Sequence, residues 1–173
     1  MAQLIEILQE ALQLEHDGEA FYRQAAASCA SPLSRRTFET LADWEKTHAG
    51  YVQAHYDALS AGGSLGAGEW HTTDLADLAK GIFAQAKPEL EAQATQACTT
   101  DHGLYETAME KERMSIHLYR TQSESATDSA AQAFFTYLLG QERDHLELLS
   151  NTQKYLDNPA DFFFDQEQWI VEG

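Results

Sequence analysis

Cysteine is nearly absent from this chain, with only Cys29 and Cys98 in 173 residues. Two thiols build neither a disulfide scaffold nor a four-thiolate metal site. Three prolines and ten glycines are too few for the turn-rich pattern of an all-β protein. Basic residues are also scarce, 11 against 28 acidic ones, for a formal charge of −17. Such a surface repels phosphates, so neither nucleic acid nor an anionic membrane is an expected partner. The longest aromatic run, Phe162-Phe163-Phe164, falls far short of a membrane span. Met1 to Glu19 is amphipathic and acidic without a basic leading region, so no signal peptide is expected. A hydrophobic content of 43 % is nevertheless enough for a core, and the length suits one domain. These features lead us to expect an acidic, helical, cytoplasmic protein.

Four segments carry helical periodicity. Leu4, Leu8, Ala11, Glu15, Gly18, Tyr22 and Ala25 form one seam, and Phe38, Leu41, Glu45, His48, Val52, His55 and Leu59 a second. Tyr105, Ala108, Glu112, Ser115, Tyr119 and Gln122 form the third. The fourth runs through Phe135, Leu138, Glu142, His145, Leu149, Thr152 and Leu156. Alternating steps of three and four residues mark faces that meet neighbouring helices in a bundle. Ser31-Pro32 reads as an N-cap followed by a first-turn proline, and Gly62-Gly63 as a stop. Thr100 or Asp101 should cap the third helix, Thr127 or Asp128 the fourth, and Asn158-Pro159 should end it. Residues 60–99 form a connection long enough to cross the fold, with a short helix expected around Leu75 to Ala86. The expected organisation is a bundle over 1–157 and an aromatic, acidic tail over 158–173 that packs on the bundle or on a partner chain.

The sequence repeats at an offset of 97 residues. Glu15 maps to Glu112, Tyr22 to Tyr119, Arg23 to Arg120, Phe38 to Phe135, Leu41 to Leu138, Glu45 to Glu142 and His48 to His145. Each half is therefore a helical hairpin with Glu on its first helix and Glu-x-x-His on its second. In an antiparallel hairpin, residues equidistant from the turn lie side by side. Glu15 is 16 residues before Ser31, and position 47, between Glu45 and His48, is 16 after it. Around Asp128 the same count pairs Glu112 with position 144, between Glu142 and His145. Glu and His three residues apart share a helix face. All six side chains therefore converge at mid-height on the buried seams.

Four buried carboxylates facing one another are expensive without cations. Two divalent ions would balance Glu15, Glu45, Glu112 and Glu142, while His48 and His145 would complete a nitrogen and oxygen site suited to iron or manganese. A Glu from each of two helices and Glu-x-x-His from the other two is the ligand pattern of ferritin-like di-metal bundles. The competing reading is a decayed site whose polar residues pair with one another. Tyr22 and Tyr119, two turns beyond Glu15 and Glu112, are either core tyrosines or hydroxyls bonded to a ligand carboxylate. His55 lies about 10 Å along the axis from His48, too far to share the site. With His16, His71, His102 and His117 it lacks a repeat partner, and surface or structural roles are expected for all five. Cys29 and Cys98 are read as plain thiols.

At these residues the chain resembles the rubrerythrin-related branch of the ferritin-like superfamily. Glu15-His-Asp-Gly-Glu-Ala-Phe-Tyr22 and Glu112-Arg-Met-Ser-Ile-His-Leu-Tyr119 are similar to its first and third helices. Trp44-Glu-Lys-Thr-His48 and Gln141-Glu-Arg-Asp-His145 are similar to its second and fourth. The likeness spans roughly residues 3–157, and the tail also resembles stand-alone members. It implies an all-α, ferritin-like four-helix bundle of two hairpins joined by a long crossover. It also implies a centre of two iron ions reacting with hydrogen peroxide or dioxygen. Two features depart from rubrerythrins proper. There is no CxxC pair for a rubredoxin iron site, and Ser115 and Ile116 occupy the region of an extra ligand carboxylate.

The expected function is therefore a di-iron oxidoreductase supplied with electrons by a separate donor protein. A homo-oligomer is expected, with a dimer favoured. The alternatives are a ferroxidase of ferritin type and a metal-stabilised module without turnover. No side chain stands out as an organic nucleophile or a phosphate cradle, so hydrolase and kinase chemistry have no support.

Overall fold

A computed structural model describes residues 2–65, 70, 75–92 and 101–157. Five helices and, among the described residues, no strand make up the fold: α1 (Ala2–Ser28), α2 (Pro32–Ser60), α3 (Leu75–Ala92), α4 (His102–Ser125) and α5 (Ser129–Asp157). The expected all-α bundle is the observed one. Helices α1 and α2 pack along each other as one hairpin, and α4 and α5 as the other.

The local signals act largely as read. Ser31 is extended, its Oγ accepts from the Ser34 N–H, and Pro32 opens α2. Gly62 ends that helix at φ +79°, where a side chain would be strained. A Cβ on Gly63 would fall 2.9 Å from the Ala58 carbonyl oxygen, so both glycines are needed in this turn. Asp128 Oδ1 accepts from the Ala131 N–H at 2.8 Å and caps α5. Asp101 holds the capping position of α4 but makes no side-chain cap; its backbone carbonyl accepts from the Leu104 and Tyr105 N–H groups instead. The crossover helix runs to Ala92, six residues past its expected end. Pro88 removes one backbone donor without ending the helix. Thr100, His71, Cys98, the Asn158-Pro159 stop and the 158–173 tail lie outside the described residues.

Two apolar clusters divide the bundle along its length. One contains Tyr22, Phe38, Leu41, Tyr105, Leu148 and Leu149. The other contains Leu8, Val52, Tyr119, Phe135 and Leu138. The first gathers the C-terminal part of α1 with the start of α2, the start of α4 and the end of α5; the second gathers the opposite ends. At about 1.5 Å per residue, the 29 residues of α2 extend about 43 Å. Leu59 near its end lies in the second cluster and Tyr105 in the first, so the connection to α4 must travel back along the bundle. Ile82 of α3 packs into the first cluster on the way. On every long helix, the stretch between the two clusters is where the paired Glu and Glu-x-x-His residues fall.

Candidate metal centre

The structure brings all six of these side chains into one layer. Glu15, Glu45, His48, Glu112, Glu142 and His145 are each no more than 4 % exposed. Ligand atoms of Glu45, His48, Glu142 and His145 all lie within 4.8 Å of one another. Glu142 spans the two imidazoles, with Oε1 3.5 Å from His48 Nδ1 and Oε2 3.4 Å from His145 Nδ1. Glu45 Oε1 approaches His145 Nδ1 at 3.3 Å. Each imidazole also faces the carboxylate from the first helix of its own half. His48 Nδ1 is 3.6 Å from Glu15 Oε2, and His145 Nδ1 is 3.5 Å from Glu112 Oε2. The two rings lie nearly parallel, 5.2 Å apart at 16°. The sequence repeat thus becomes an approximate two-fold arrangement around Glu45 and Glu142.

Many of these atoms lack hydrogen-bond partners. Glu15 Oε2, His48 Nδ1, Glu112 Oε2, both oxygens of Glu142 and both ring nitrogens of His145 are buried and make no hydrogen bond. Leaving that many polar atoms unsatisfied is costly for a folded chain. Two ligand atoms about 2.1 Å from one cation and roughly 100° apart would be about 3.2 Å from each other. The observed contacts of 3.3–3.6 Å are close to that spacing. The donor set fits divalent metal ions.

Electrostatics describe the same frustration. Burial pushes Glu45 above its ordinary range, and the charges of Glu142 and Glu15 add to it. Burial and Glu142 push Glu112 up to about 8. Burial alone would also raise Glu142, but His145 and His48 outweigh it and hold this carboxyl low. Burial would depress His48, yet the carboxylates of Glu142 and Glu15 raise it to about 9. His145 is likewise raised, by Glu112 and Glu142 against the effect of burial. Without cations, protons are what balance this cluster.

Both tyrosines reach carboxylates of the cluster. Tyr22 donates to Glu112 Oε1 and Tyr119 donates to Glu15 Oε1, so each bond crosses from one hairpin to the other. Both hydroxyls are held protonated, first by burial and then by the neighbouring carboxylate. The two readings of these tyrosines merge, since each is a core side chain and a donor to the site.

Sequence reasoning missed three contributors. Trp44 stacks on His145 at 4.9 Å and 18°, and Tyr137 presents an edge to His48 at 6.3 Å. A Cβ on Gly18 would lie 3.1 Å from Glu45 Cδ, so glycine leaves the room Glu45 occupies. Glycine inside a helix costs about 1 kcal/mol relative to alanine, and that was the available signal. His55 is buried between Trp70 and Phe134, and burial lowers its pKa. His102 joins the start of α4 to Asp157 and Gln153 of α5, while His16 and His117 are exposed. Cys29 is a buried thiol away from the cluster.

Two helical hairpins joined by a crossover, with paired Glu and Glu-x-x-His residues between them, define a ferritin-like helical bundle. Residues 6–153 match the rubrerythrin family, and the chain belongs to it. Comparison with curated proteins and with solved structures gave no match.

Proposed function

We propose that the cluster holds two iron ions and that the protein reduces hydrogen peroxide with electrons from an external donor protein. The observation that carries this reading is the set of buried, unpartnered carboxylate and imidazole atoms converging on one layer. Glu15 and His48 would hold one ion and Glu112 and His145 the other, with Glu45 and Glu142 between them. When bound, the two Fe(II) ions supply the two electrons that cleavage of an O–O bond consumes. Peroxide, two electrons and two protons give two waters, and the external donor then restores the electrons.

The chain's own residues set the conditions for that reaction. Four carboxylates would offset the charge of the cations, and the Glu142 oxygens face both imidazoles. Tyr22 and Tyr119 orient Glu112 and Glu15 through one oxygen each, leaving the other for metal. The apolar clusters above and below close the two ends of the layer.

The proposal places the protein in the cytoplasm as a homodimer, without a nucleic-acid or membrane partner. Among the described residues, no helix is long and apolar enough to cross a membrane. Manganese in place of iron and dioxygen in place of peroxide are the variants to compare.

The near-symmetric set of four carboxylates and two imidazoles, with Ser115 and Ile116 in the region of a further carboxylate, supports ferroxidase activity as a second reading. Stopped-flow oxidation of the Fe(II)-loaded protein separates the two. Peroxide reacting much faster than dioxygen, with turnover once a reductant is supplied, supports the oxidoreductase. Iron uptake continuing far beyond the cluster's capacity, in a large assembly by gel filtration, supports iron handling. Absence of reaction with either oxidant leaves a metal-stabilised structural module.

A further inference from the structure

Between α1 and α4 a cavity of about 100 Å³ reaches the cluster. Glu45 and Glu112 lie at its inner end, and Gly18, Ser115, Asp17 and Lys111 are among its walls. Asp17 is exposed, and Lys111 and Ser115 are partly exposed, so the cavity opens toward solvent. One water needs roughly 10–15 Å³ of such space, so a few water-sized molecules fit and a flavin or nicotinamide ring does not.

Two of the wall positions are equivalent and carry small residues. Gly18 and Ser115 are related by the 97-residue repeat, each three residues after the glutamate of its helix and on the same face. Gly18 packs tightly against Glu45, since a Cβ there would lie 3.1 Å from its Cδ. Ser115 stands across the cavity on α4, and its short side chain leaves the opening unfilled.

The rim carries one charge of each sign. The Lys111 ammonium lies 5.4 Å from the centre of the Phe21 ring, a cation–π contact, and Asp17 is the other charged residue of the rim. On a chain of charge −17 the surrounding field repels small anions, and this locally balanced rim suits a neutral molecule.

We propose that this cavity is the binding and access site for a small neutral oxidant of the size of hydrogen peroxide, with Ser115 setting its width. The inference rests on the reading of the cluster as a metal centre.

The test plugs the passage after the protein is folded and loaded. Ser115→Cys, in a Cys98→Ser background, is loaded with Fe(II) anaerobically and then modified with N-ethylmaleimide. Ser115→Leu fills the same space genetically, and Cys98→Ser protein treated with N-ethylmaleimide serves as the open control. Nitric oxide, a neutral diatomic, is the probe; its association with the Fe(II)-loaded protein is followed by visible absorbance and involves no turnover. Peroxide oxidation is timed in parallel. Both filled forms should keep their iron and slow both reactions about tenfold or more, while the treated Cys98→Ser protein keeps the wild-type rates. A plugged protein that retains iron and binds nitric oxide at the wild-type rate overturns the proposal. Wild-type protein that takes up no iron overturns the metal-centre reading beneath it, and metal analysis tells the two failures apart.

Discussion

Tyr22 of the first hairpin gives its hydroxyl hydrogen bond to Glu112 of the second. Tyr119 repeats the relationship in reverse by donating to Glu15. Both bonds join α1 to α4 at the height of the polar layer. Each bond also takes one oxygen of a carboxylate whose other oxygen, Oε2, makes no hydrogen bond. The geometry joins packing to chemistry, since the residues that align the hairpins also orient the outer carboxylates.

Tyr22→Phe and Tyr119→Phe should therefore lower metal affinity by about 10–100-fold without unfolding the protein. Competitive titration with a chromogenic chelator measures this. Equal affinities for wild type and both variants would show that the hydroxyls do not orient ligands. The two substitutions should resemble each other, because the repeat makes their surroundings equivalent.

Glu45→Gln should have opposite effects on the loaded and metal-free proteins. It removes a carboxylate proposed to hold metal, but also a buried group whose pKa burial and the charges of Glu142 and Glu15 raise. Metal affinity should fall, while the metal-free midpoint should rise by the equivalent of about 1–3 kcal/mol. Exposed Glu39→Gln should change neither. Thermal melts with and without Mn(II) give both quantities, and a destabilised metal-free Glu45→Gln would contradict the electrostatic account.

Much of this arrangement was legible in the sequence because helical geometry converts spacing into height and face. Ser31 and Pro32 located a turn, Gly62 and Gly63 a stop, and the 97-residue repeat put Glu15, Glu45, His48, Glu112, Glu142 and His145 into one layer. Spacing along a helix does not give the rotation of one hairpin against the other. The crossed partners of Tyr22 and Tyr119 and the stacking of Trp44 on His145 depend on that rotation. Gly18 appeared as one more seam residue, since nothing along its own helix announces Glu45. Asp101 took the expected position without its expected side-chain bond, because backbone contacts define the start of α4 there.

Gly18→Ala tests how tightly the layer is packed. Alanine favours the helix by about 1 kcal/mol, whereas overpacking a filled site costs about 1–3 kcal/mol. The added Cβ presses on Glu45, so the expected result is weaker metal binding with little or no gain in stability. A variant with unchanged affinity and a higher midpoint would mean that Glu45 yields freely.

Metal-free and loaded proteins should also differ in their response to pH. Glu112 is raised to about 8 and His48 to about 9, while Glu45 and His145 are raised as well. Each binds its proton more tightly folded than unfolded, so its contribution is complete below the unfolded pKa. That contribution is lost as pH climbs through the folded value. Glu142 is held low and stays ionised across this window. The metal-free midpoint should therefore fall between about pH 6 and pH 9, and Mn(II) affinity should rise over the same range as cations replace protons. A metal-free midpoint that is flat or rising there would contradict the assignment of protons to the cluster.

The most direct test of the central claim is elemental analysis of the protein after anaerobic loading with Fe(II) and removal of free metal. The account expects about two ions per chain, reduced in variants of Glu45, Glu142, His48 or His145. A wild-type value near zero would contradict it and leave a layer of polar residues that pair only with one another.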